Sequence, residues 1–134
     1  MVIDTSALLA ILKAEPEALA LIDALSRPGA KWISTATLLE TRLVIDRQVG
    51  EAGQAELERL LATAAITPVP LEEAHVHWAL DGWRRFGKGR HPAALNFGDC
   101  FSYGLARALE APLLFKGSDF AATDLPAAGR TPAR

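Results

Sequence analysis

The sequence predicts an α/β protein with a three-layer α/β/α arrangement, in which helices cover both faces of a central, mostly parallel sheet of about four to five strands. Two observations support this prediction. Short apolar segments alternate with longer segments of helical spacing, and strands joined in this way pair in parallel through right-handed crossovers. The length of 134 residues is that of one domain, and no internal repeat or low-complexity segment divides it.

The predicted strands are short apolar runs bounded by turn or breaker residues. "MVID" opens the chain, "KWIS" follows the turn "RPGA", and "AITPVP" ends at a proline that cannot donate to a strand ladder. "APLLFKG" ends at a glycine and is the last clear strand. In chain order, strands are expected at residues 1–4, 31–34, 65–70 and 111–117.

The predicted helices have apolar residues at helical spacing and recognisable ends. Pro16 suits a first helical turn, and Gly50 separates two helices. The basic loop "GKGRHPA" breaks the chain before the segment "LNFGDCFSYGLARA", whose apolar face contains Phe97, Phe101 and Leu105. Helices are expected at about 5–15, 16–26, 35–48, 51–64, 71–86 and 95–108, within a single domain of residues 1–126 followed by a flexible C-terminal tail at 127–134.

Composition restricts the setting. The 14 Lys and Arg against 16 Asp and Glu give a formal charge of −2, so no overall positive field attracts nucleic acid, and such a partner would be bound locally. A single cysteine excludes an internal disulfide and is typical of a reducing compartment. No apolar run is long enough to span a membrane, and "MVIDTSALLAIL" lacks the features of a signal peptide. We therefore expect a soluble, cytoplasmic protein.

Three acidic residues lie where a parallel sheet would bring side chains together. Asp4 ends the first strand and Asp119 follows the fourth, and ligands of open α/β sheets bind beyond the carboxyl ends of the strands. Asp99 lies in the first turn of its helix, three residues after Asn96. A capping box with Asn96 alone accounts for an acid at that position, so its further role depends on the other acids.

A fourth acid, Glu40, has an unusual place in its helix. On a helical wheel it falls between Leu43 and Val44 on the apolar stripe, whereas Thr41 and Arg42 fall on the outer face. Because an unpaired acid is almost never fully buried, Glu40 is expected to have a partner.

A divalent cation is the partner that would satisfy all four acids. No basic residue is an obvious partner for them, and carboxylates held close together repel one another. Mg²⁺ or Mn²⁺ takes oxygen ligands and tolerates one or two carboxylates with several waters. A zinc site is not expected, because His75 and His77 are two residues apart and His91 is alone in a loop.

Four segments in this order resemble one known family. "VIDTSALLA", the glutamate at position 40, "LNFGDCFSYGLA" and "LLFKGSDF" together resemble the PIN domain, and specifically the VapC-type ribonuclease toxins of bacterial toxin–antitoxin pairs, from Met1 to about Leu125. The resemblance implies a PIN-like fold and an endoribonuclease that uses Mg²⁺ or Mn²⁺ to hydrolyse RNA phosphodiester bonds.

The resemblance also implies roles for individual residues. Thr5 and Ser6 match small hydroxyl residues that help to order the metal-bound water or ligand, and Asn96 matches the asparagine that braces the following acidic turn. Asp124 lies near the fourth acid of the motif, but we expect it to serve a structural turn. The implied catalytic and metal-binding acids are Asp4, Glu40, Asp99 and Asp119.

Basic residues next to the predicted catalytic helix are candidates for binding RNA. Lys88 and Arg90 lie in a Gly-rich basic loop and are the strongest candidates. Arg85 and Lys116 are further candidates, although a solvated helix end accounts equally for Arg85, and pairing with a carboxylate accounts equally for Lys116.

The aromatic residues and the cysteine have simpler interpretations. Trp32, Trp78 and Trp83 could stack on bases, but their strand and helix positions favour the core or an interface. Cys100 has no suitably placed histidine or oxyanion motif and is expected to be a small buried residue, not a nucleophile.

Other classes fit less well. A phospho-acceptor receiver domain needs an aspartate ending its middle strand, and "ITPVPLEE" has none. A haloacid-dehalogenase phosphatase needs an aspartate two residues after Asp4, where Ser6 stands. A catalytically inactive PIN-like scaffold that binds RNA or protein remains the alternative, but it predicts loss of the acids, and all four are present.

The resemblance implies two protein partners in addition to RNA: a second copy in a homodimer and an antitoxin of the VapB type. The early helices contain more apolar residues than one core face requires, and these are candidates for either interface: Leu8, Leu9, Ile11 and Leu12.

Overall fold

The computed structural model describes residues 1–129, and the part of the predicted tail from residue 130 lies outside it. Every predicted strand and helix is present, so the predicted α/β class is confirmed. The expected domain boundary at residue 126 stays a prediction. The elements are β1 (Val2–Ile3), α1 (Thr5–Leu12), α2 (Ala18–Ser26), β2 (Lys31–Ser34), α3 (Thr35–Gln48), α4 (Glu51–Thr63), β3 (Ile66–Val69), α5 (Glu73–Phe86), α6 (Phe97–Ala108), β4 (Leu113–Leu114) and a short 3₁₀ turn at Phe120–Ala122.

The strands form one parallel sheet in the order β3-β2-β1-β4. Val2 pairs with Trp32 on one side and with Leu113 on the other, so β1 lies inside the sheet. Because all strands point the same way, the residues that follow β1 and β4 emerge at the same edge. That edge is where acids after β1 and β4 can approach each other.

Helices cover both faces of the sheet, as the alternation of side chains along the strands requires. In β1, Ile3 packs with α1, α2, α3 and α4, whereas Val2 packs with α5 and α6. In β4, Leu114 packs on the same face of the sheet as Ile3, and Leu113 packs on the same face as Val2. The two cores therefore sit on opposite faces of the sheet, which gives the predicted three layers.

Close helix packing fixes the position of α6 against α5. A Cβ atom at Gly104 would lie 2.5 Å from the backbone oxygen of His75, and one at Gly82 would lie 2.3 Å from Cδ1 of Tyr103. Only glycine permits the two helices to approach this closely at these points. The first turn of α6, with Asp99, is thereby held at a fixed place beside the sheet.

The prediction that leucines and valine form the buried face of α3, with Thr41 outside, is wrong. Thr37, Thr41 and Ile45 form the buried face, whereas Leu39 and Leu43 are 58% and 56% exposed. The threonines are buried because each hydroxyl has a hydrogen-bond partner inside the protein, which removes the usual cost of desolvating it.

Two other expectations about apolar residues also need correction. Phe97, expected on the buried face of α6, is 80% exposed. Leu8, expected to be surplus to the core, is fully buried, and Leu9 packs against the same core. Most of the large exposed apolar side chains in residues 1–129 lie instead on α2, α3, α5 and the start of α6.

No helix in residues 1–129 has both the length and the apolar character needed to span a membrane.

Candidate active site

Asp4 is held by three hydrogen-bond donors at the carboxyl end of β1. It is the N-cap of α1, and its Oδ2 accepts from the backbone N–H of Ser6 at 3.0 Å and from Ser6 Oγ at 2.7 Å. Its Oδ1 accepts from Ser102 Oγ at 2.5 Å. Asp4 is 3% exposed. Because both carboxylate oxygens accept hydrogen bonds, these donors hold the side chain in one orientation.

Ser6 also ties the end of β4 to Asp4. Its Oγ donates to Asp4 and accepts from the backbone N–H of Lys116 at 3.0 Å. The segment that leads from β4 to Asp119 is therefore anchored beside the first acid.

Glu40 meets the start of α6. Thr5 Oγ1 donates to Glu40 Oε1 at 2.7 Å, and Thr41 Oγ1 lies 2.9 Å from Thr5 Oγ1. A Cβ atom at Gly98 would lie 1.9 Å from Glu40 Oε2, so the glycine before Asp99 makes room for this carboxylate. In the structure, the hydroxyl of Thr5 is a hydrogen-bond partner of Glu40. The Glu40 side chain is partly, not fully, buried.

Asp99 has the predicted capping box and an unusual charge environment. Its backbone N–H donates to Asn96 Oδ1 and its Oδ2 accepts from the Asn96 N–H, both at 2.9 Å. Burial, the largest effect, raises the pKa of Asp99 to about 6 against the opposing effect of the Asn96 hydrogen bond, and the charges of Asp4, Asp119 and Glu40 raise it further. The other three predicted acids therefore lie close enough to Asp99 for their charges to act on it.

The two aspartates after β4 have different surroundings. Asp119 is exposed at the start of the 3₁₀ turn and makes no side-chain cap hydrogen bond there. Asp124 accepts from Tyr103 Oη at 2.9 Å, from Arg107 at 2.5 Å and from Arg85 at 3.2 Å. Asp124 thus has the structural role expected of it, whereas Asp119 is unpaired among residues 1–129.

The chemistry of these acids fits a hard divalent cation. Within residues 1–129 none of the four forms an ion pair, so no side chain described by the structure balances their charge. No three His, Cys, Asp or Glu side chains of that region are already arranged around a common metal position. Mg²⁺ commonly binds through only one or two carboxylates, with waters completing its shell. The donors suit Mg²⁺ or Mn²⁺ held in this partly water-mediated way.

Two of the four basic candidates are engaged away from the acids. Arg85 bonds to Asp81 at 3.4 Å as well as to Asp124. Lys116 pairs with Glu15 and lies 3.9 Å from Glu17, so the carboxylates it pairs with are not those of the site.

The other two basic candidates remain available on the loop before α6. The Arg90 guanidinium lies 4.2 Å from the centre of the Trp83 ring. Lys88 is exposed, and only its backbone is fixed, through a bond from its N–H to the Leu95 carbonyl at 2.8 Å. The arginine and the tryptophan form a partly exposed stacked pair beside the lysine.

The tryptophans and the cysteine have mixed outcomes. Trp32 and Trp78 are partly buried, and Trp83 is 38% exposed, so none of the three is fully enclosed. Cys100 is buried and its thiol pKa is raised to about 11 by burial, which makes it a poor nucleophile, as expected.

Sequence reasoning missed Ser102 and Gly98. Ser102 lies three residues after Asp99, and this spacing places both side chains on one face of α6. That spacing was the available signal for Ser102. The need for a glycine at position 98 depends on contact with Glu40, which is 58 positions away in the chain, and a single sequence contains no sign of it.

Comparison with known proteins identifies relatives over nearly the whole chain. The family model described as PIN domain matches residues 1–125. The chain is 49% identical over 125 residues to Ribonuclease VapC30 of Mycobacterium tuberculosis, covering 93% of this chain and 95% of that protein. It is 48% identical over 127 residues to Ribonuclease VapC of Mycolicibacterium smegmatis, covering 95% of this chain and 98% of that protein.

Solved structures have the same fold at low sequence identity. M. tuberculosis VapC20, described as a sarcin-ricin loop cleaving toxin, has a TM-score of 0.74 and 16% identity, with 92% of this chain and 95% of that chain covered. A chain of a toxin–antitoxin complex from Klebsiella pneumoniae has a TM-score of 0.69 and 15% identity, with 96% and 97% covered.

The raised pKa of Asp99 predicts a pH-dependent stability difference. The folded chain keeps the Asp99 carboxyl protonated up to about pH 6, whereas the ordinary pKa of this group is 3.8. The stability that comes from binding this proton is therefore complete below about pH 3.8 and is lost as the pH rises through about 6. In EDTA at pH 8, the free energy of unfolding of Asp99→Asn should therefore be about 1 kcal/mol higher than that of wild type, after allowance for solvent screening. This corresponds to a melting temperature roughly 3–5 °C higher.

Thermal unfolding of both proteins at pH 4 and pH 8 measures this difference. At pH 4 the two melting temperatures should converge, since Asp99 is then protonated. A constant difference at both pH values would contradict the electrostatic account of Asp99.

Proposed function

The chain belongs to the PIN-domain family, and from this premise we propose that it is a VapC-type endoribonuclease toxin that cleaves RNA with Mg²⁺ or Mn²⁺. The predicted PIN-like fold and the family resemblance are confirmed. The relatives of this chain are named ribonucleases, which supports RNA as its substrate. The observation that best supports metal dependence is that Asp4, Glu40 and Asp119 lie near Asp99 and that none of the four acids has an ion-pair partner in residues 1–129.

Each acid has a distinct part in the proposed reaction. Asp4, fixed by three donors, and Asp99, held by its capping box, are the proposed direct ligands. Glu40, the third acid of the implied catalytic and metal-binding set, is less enclosed than Asp4, and we propose that it accepts a proton from the attacking water. Asp119 completes the negative site from the loop after β4. A bound Mg²⁺ or Mn²⁺ supplies Lewis-acid stabilisation of phosphate charge and a more acidic water.

Lys88 and Arg90 are the proposed contacts to the RNA backbone. Their loop leads directly into α6, which begins beside the acids, and the lysine has no ion-pair partner in the described part of the chain. Arg85 and Lys116 are not retained as principal contacts, because both already pair with carboxylates.

We propose that a second copy covers the exposed apolar surface formed by Leu39, Leu43 and Phe97. These side chains line a groove of about 650 Å³ between α3 and α6, next to Glu40. Contiguous exposed apolar side chains of this kind are typical of the core of an interface.

The dimer proposal predicts the effect of a charge in this groove. Leu39→Glu should give a monomer by light scattering while leaving the melting temperature within a few degrees, because the side chain is already 58% exposed. Glu58→Gln, on the exposed side of α4, is the control for a surface change. A wild-type monomer at micromolar concentration would contradict the proposal.

An antitoxin of the VapB type is the second proposed protein partner. The fold likeness to a chain of the K. pneumoniae toxin–antitoxin complex supports it. Leu19 and Ile22 of α2 are 81% and 44% exposed, so this helix is the proposed docking face, and not Leu8, which is buried. Both RNA and such an antitoxin are cytoplasmic molecules, and we propose that compartment for this protein.

RNA cleavage by the purified chain tests the function. We expect cleavage of a mixed RNA pool with Mg²⁺ or Mn²⁺ and none with EDTA. Asp99→Asn should reduce cleavage at least about 100-fold, because it removes a charged ligand while keeping an oxygen for the cap. Asp23→Asn makes the same chemical change at an exposed i,i+4 ion pair on α2 and should cleave like wild type.

Two further arms of the same assay test the partners. Lys88→Ala should weaken RNA binding and reduce its salt dependence without changing the metal requirement. Excess antitoxin should suppress cleavage, and Leu19→Asp should relieve that suppression. Absence of cleavage by the wild-type protein would favour the inactive-scaffold alternative. Cleavage that is equal in wild type and Asp99→Asn, or that persists in EDTA, would contradict the proposed role of Asp99 and of the metal.

A further inference from the structure

Ser102 is a buried hydroxyl that contacts the proposed site but has no role in the reaction described above. It is 1% exposed, and its Oγ lies 2.5 Å from Asp4 Oδ1 and 3.3 Å from Thr37 Oγ1. Thr37 is itself fully buried, on the inner face of α3. The contact therefore connects α3, α6 and the end of β1 through three polar side chains.

The direction of these hydrogen bonds follows from the number of protons available. An ionised carboxylate only accepts, so the single hydroxyl proton of Ser102 is donated to Asp4. The Ser102 oxygen can then only accept from Thr37, whose hydroxyl proton points toward it. Thr37 thus orients Ser102, and Ser102 orients Asp4.

The two oxygens of Asp4 are fixed by different parts of the chain. Oδ2 is held by Ser6, two residues away, and this local contact moves with Asp4 itself. Within residues 1–129, Oδ1 is held only by Ser102, which is one helical turn beyond Asp99 on α6. The Ser102 contact therefore sets the orientation of the Asp4 carboxylate relative to Asp99.

We propose that Ser102, oriented by Thr37, is a positioning residue that fixes Asp4 for binding a divalent cation. The inference rests on the proposed metal-dependent function. Without the hydroxyl, Oδ1 of Asp4 loses its only donor from α6, and the carboxylate is free to rotate about its contact with Ser6. Hydrogen bonds of this outer kind commonly change metal affinity about 10- to 100-fold.

Direct binding of Mn²⁺ to the full chain, followed by electron paramagnetic resonance and calorimetry, tests the proposal without relying on cleavage. Ser102→Ala should weaken Mn²⁺ binding about tenfold or more. Thr37→Val, which keeps the shape but removes the hydroxyl, should weaken it less, and Thr37→Ser, which keeps the hydroxyl, should bind like wild type. Ser26→Ala removes an exposed hydroxyl of α2 and is the matched control.

Each outcome supports or overturns the inference. If folded Ser102→Ala binds Mn²⁺ as tightly as wild type, the hydroxyl is only structural and the proposal is wrong, whatever the change in melting temperature. If Ser102→Ala does not fold, the difference between Thr37→Val and Thr37→Ser decides, and equal affinities overturn the proposal. If wild type binds no Mn²⁺, the proposed metal function fails as well, which distinguishes that failure from the first.

Discussion

The burial of negative charge at one edge of a small parallel sheet is the constraint on which the site depends. Asp4 and Asp119 reach this edge because β1 and β4 are parallel neighbours, and Glu40 and Asp99 approach it from α3 and α6. Desolvation is the largest part of the cost of the arrangement, because burial is the main cause of the raised pKa of Asp99, and the charges of the other three acids raise that pKa further. Hydroxyl and backbone donors offset part of that cost, but no ion pair within residues 1–129 balances the charge. We propose that a divalent cation balances the remaining negative charge.

The local structure of the helices follows from this constraint. Gly98 leaves space for Glu40, and Gly104 lets α6 approach α5 closely enough to hold its first turn in place. The inner face of α3 is lined by threonines because hydroxyls are needed beside Thr5 and Ser102. Its leucines are consequently on the outside, where they form the surface proposed for a second copy.

Local signals were enough to predict the strands, the helices and the capping box at Asp99, because each depends on residues close together in sequence. Hydrophobicity did not predict the buried face of α3, because it counts Thr37 as a polar residue for the surface. The hydroxyl that allows Thr37 to be buried belongs to Ser102, which is 65 positions away. The engagement of Lys116 by Glu15 likewise joins residues 101 positions apart. The acids were found through the order of motifs, and the effect of the other three on the pKa of Asp99 became visible only in the fold.

The central claim is that the acid cluster holds a divalent cation between β1 and α6. Crystals of the full chain grown with Mn²⁺ and measured at a wavelength with manganese anomalous signal test it most directly. The account predicts an anomalous peak between the carboxylates of Asp4 and Asp99, with waters completing the coordination. A map without that peak at saturating Mn²⁺, or one in which a lysine or arginine side chain fills the space, would contradict it.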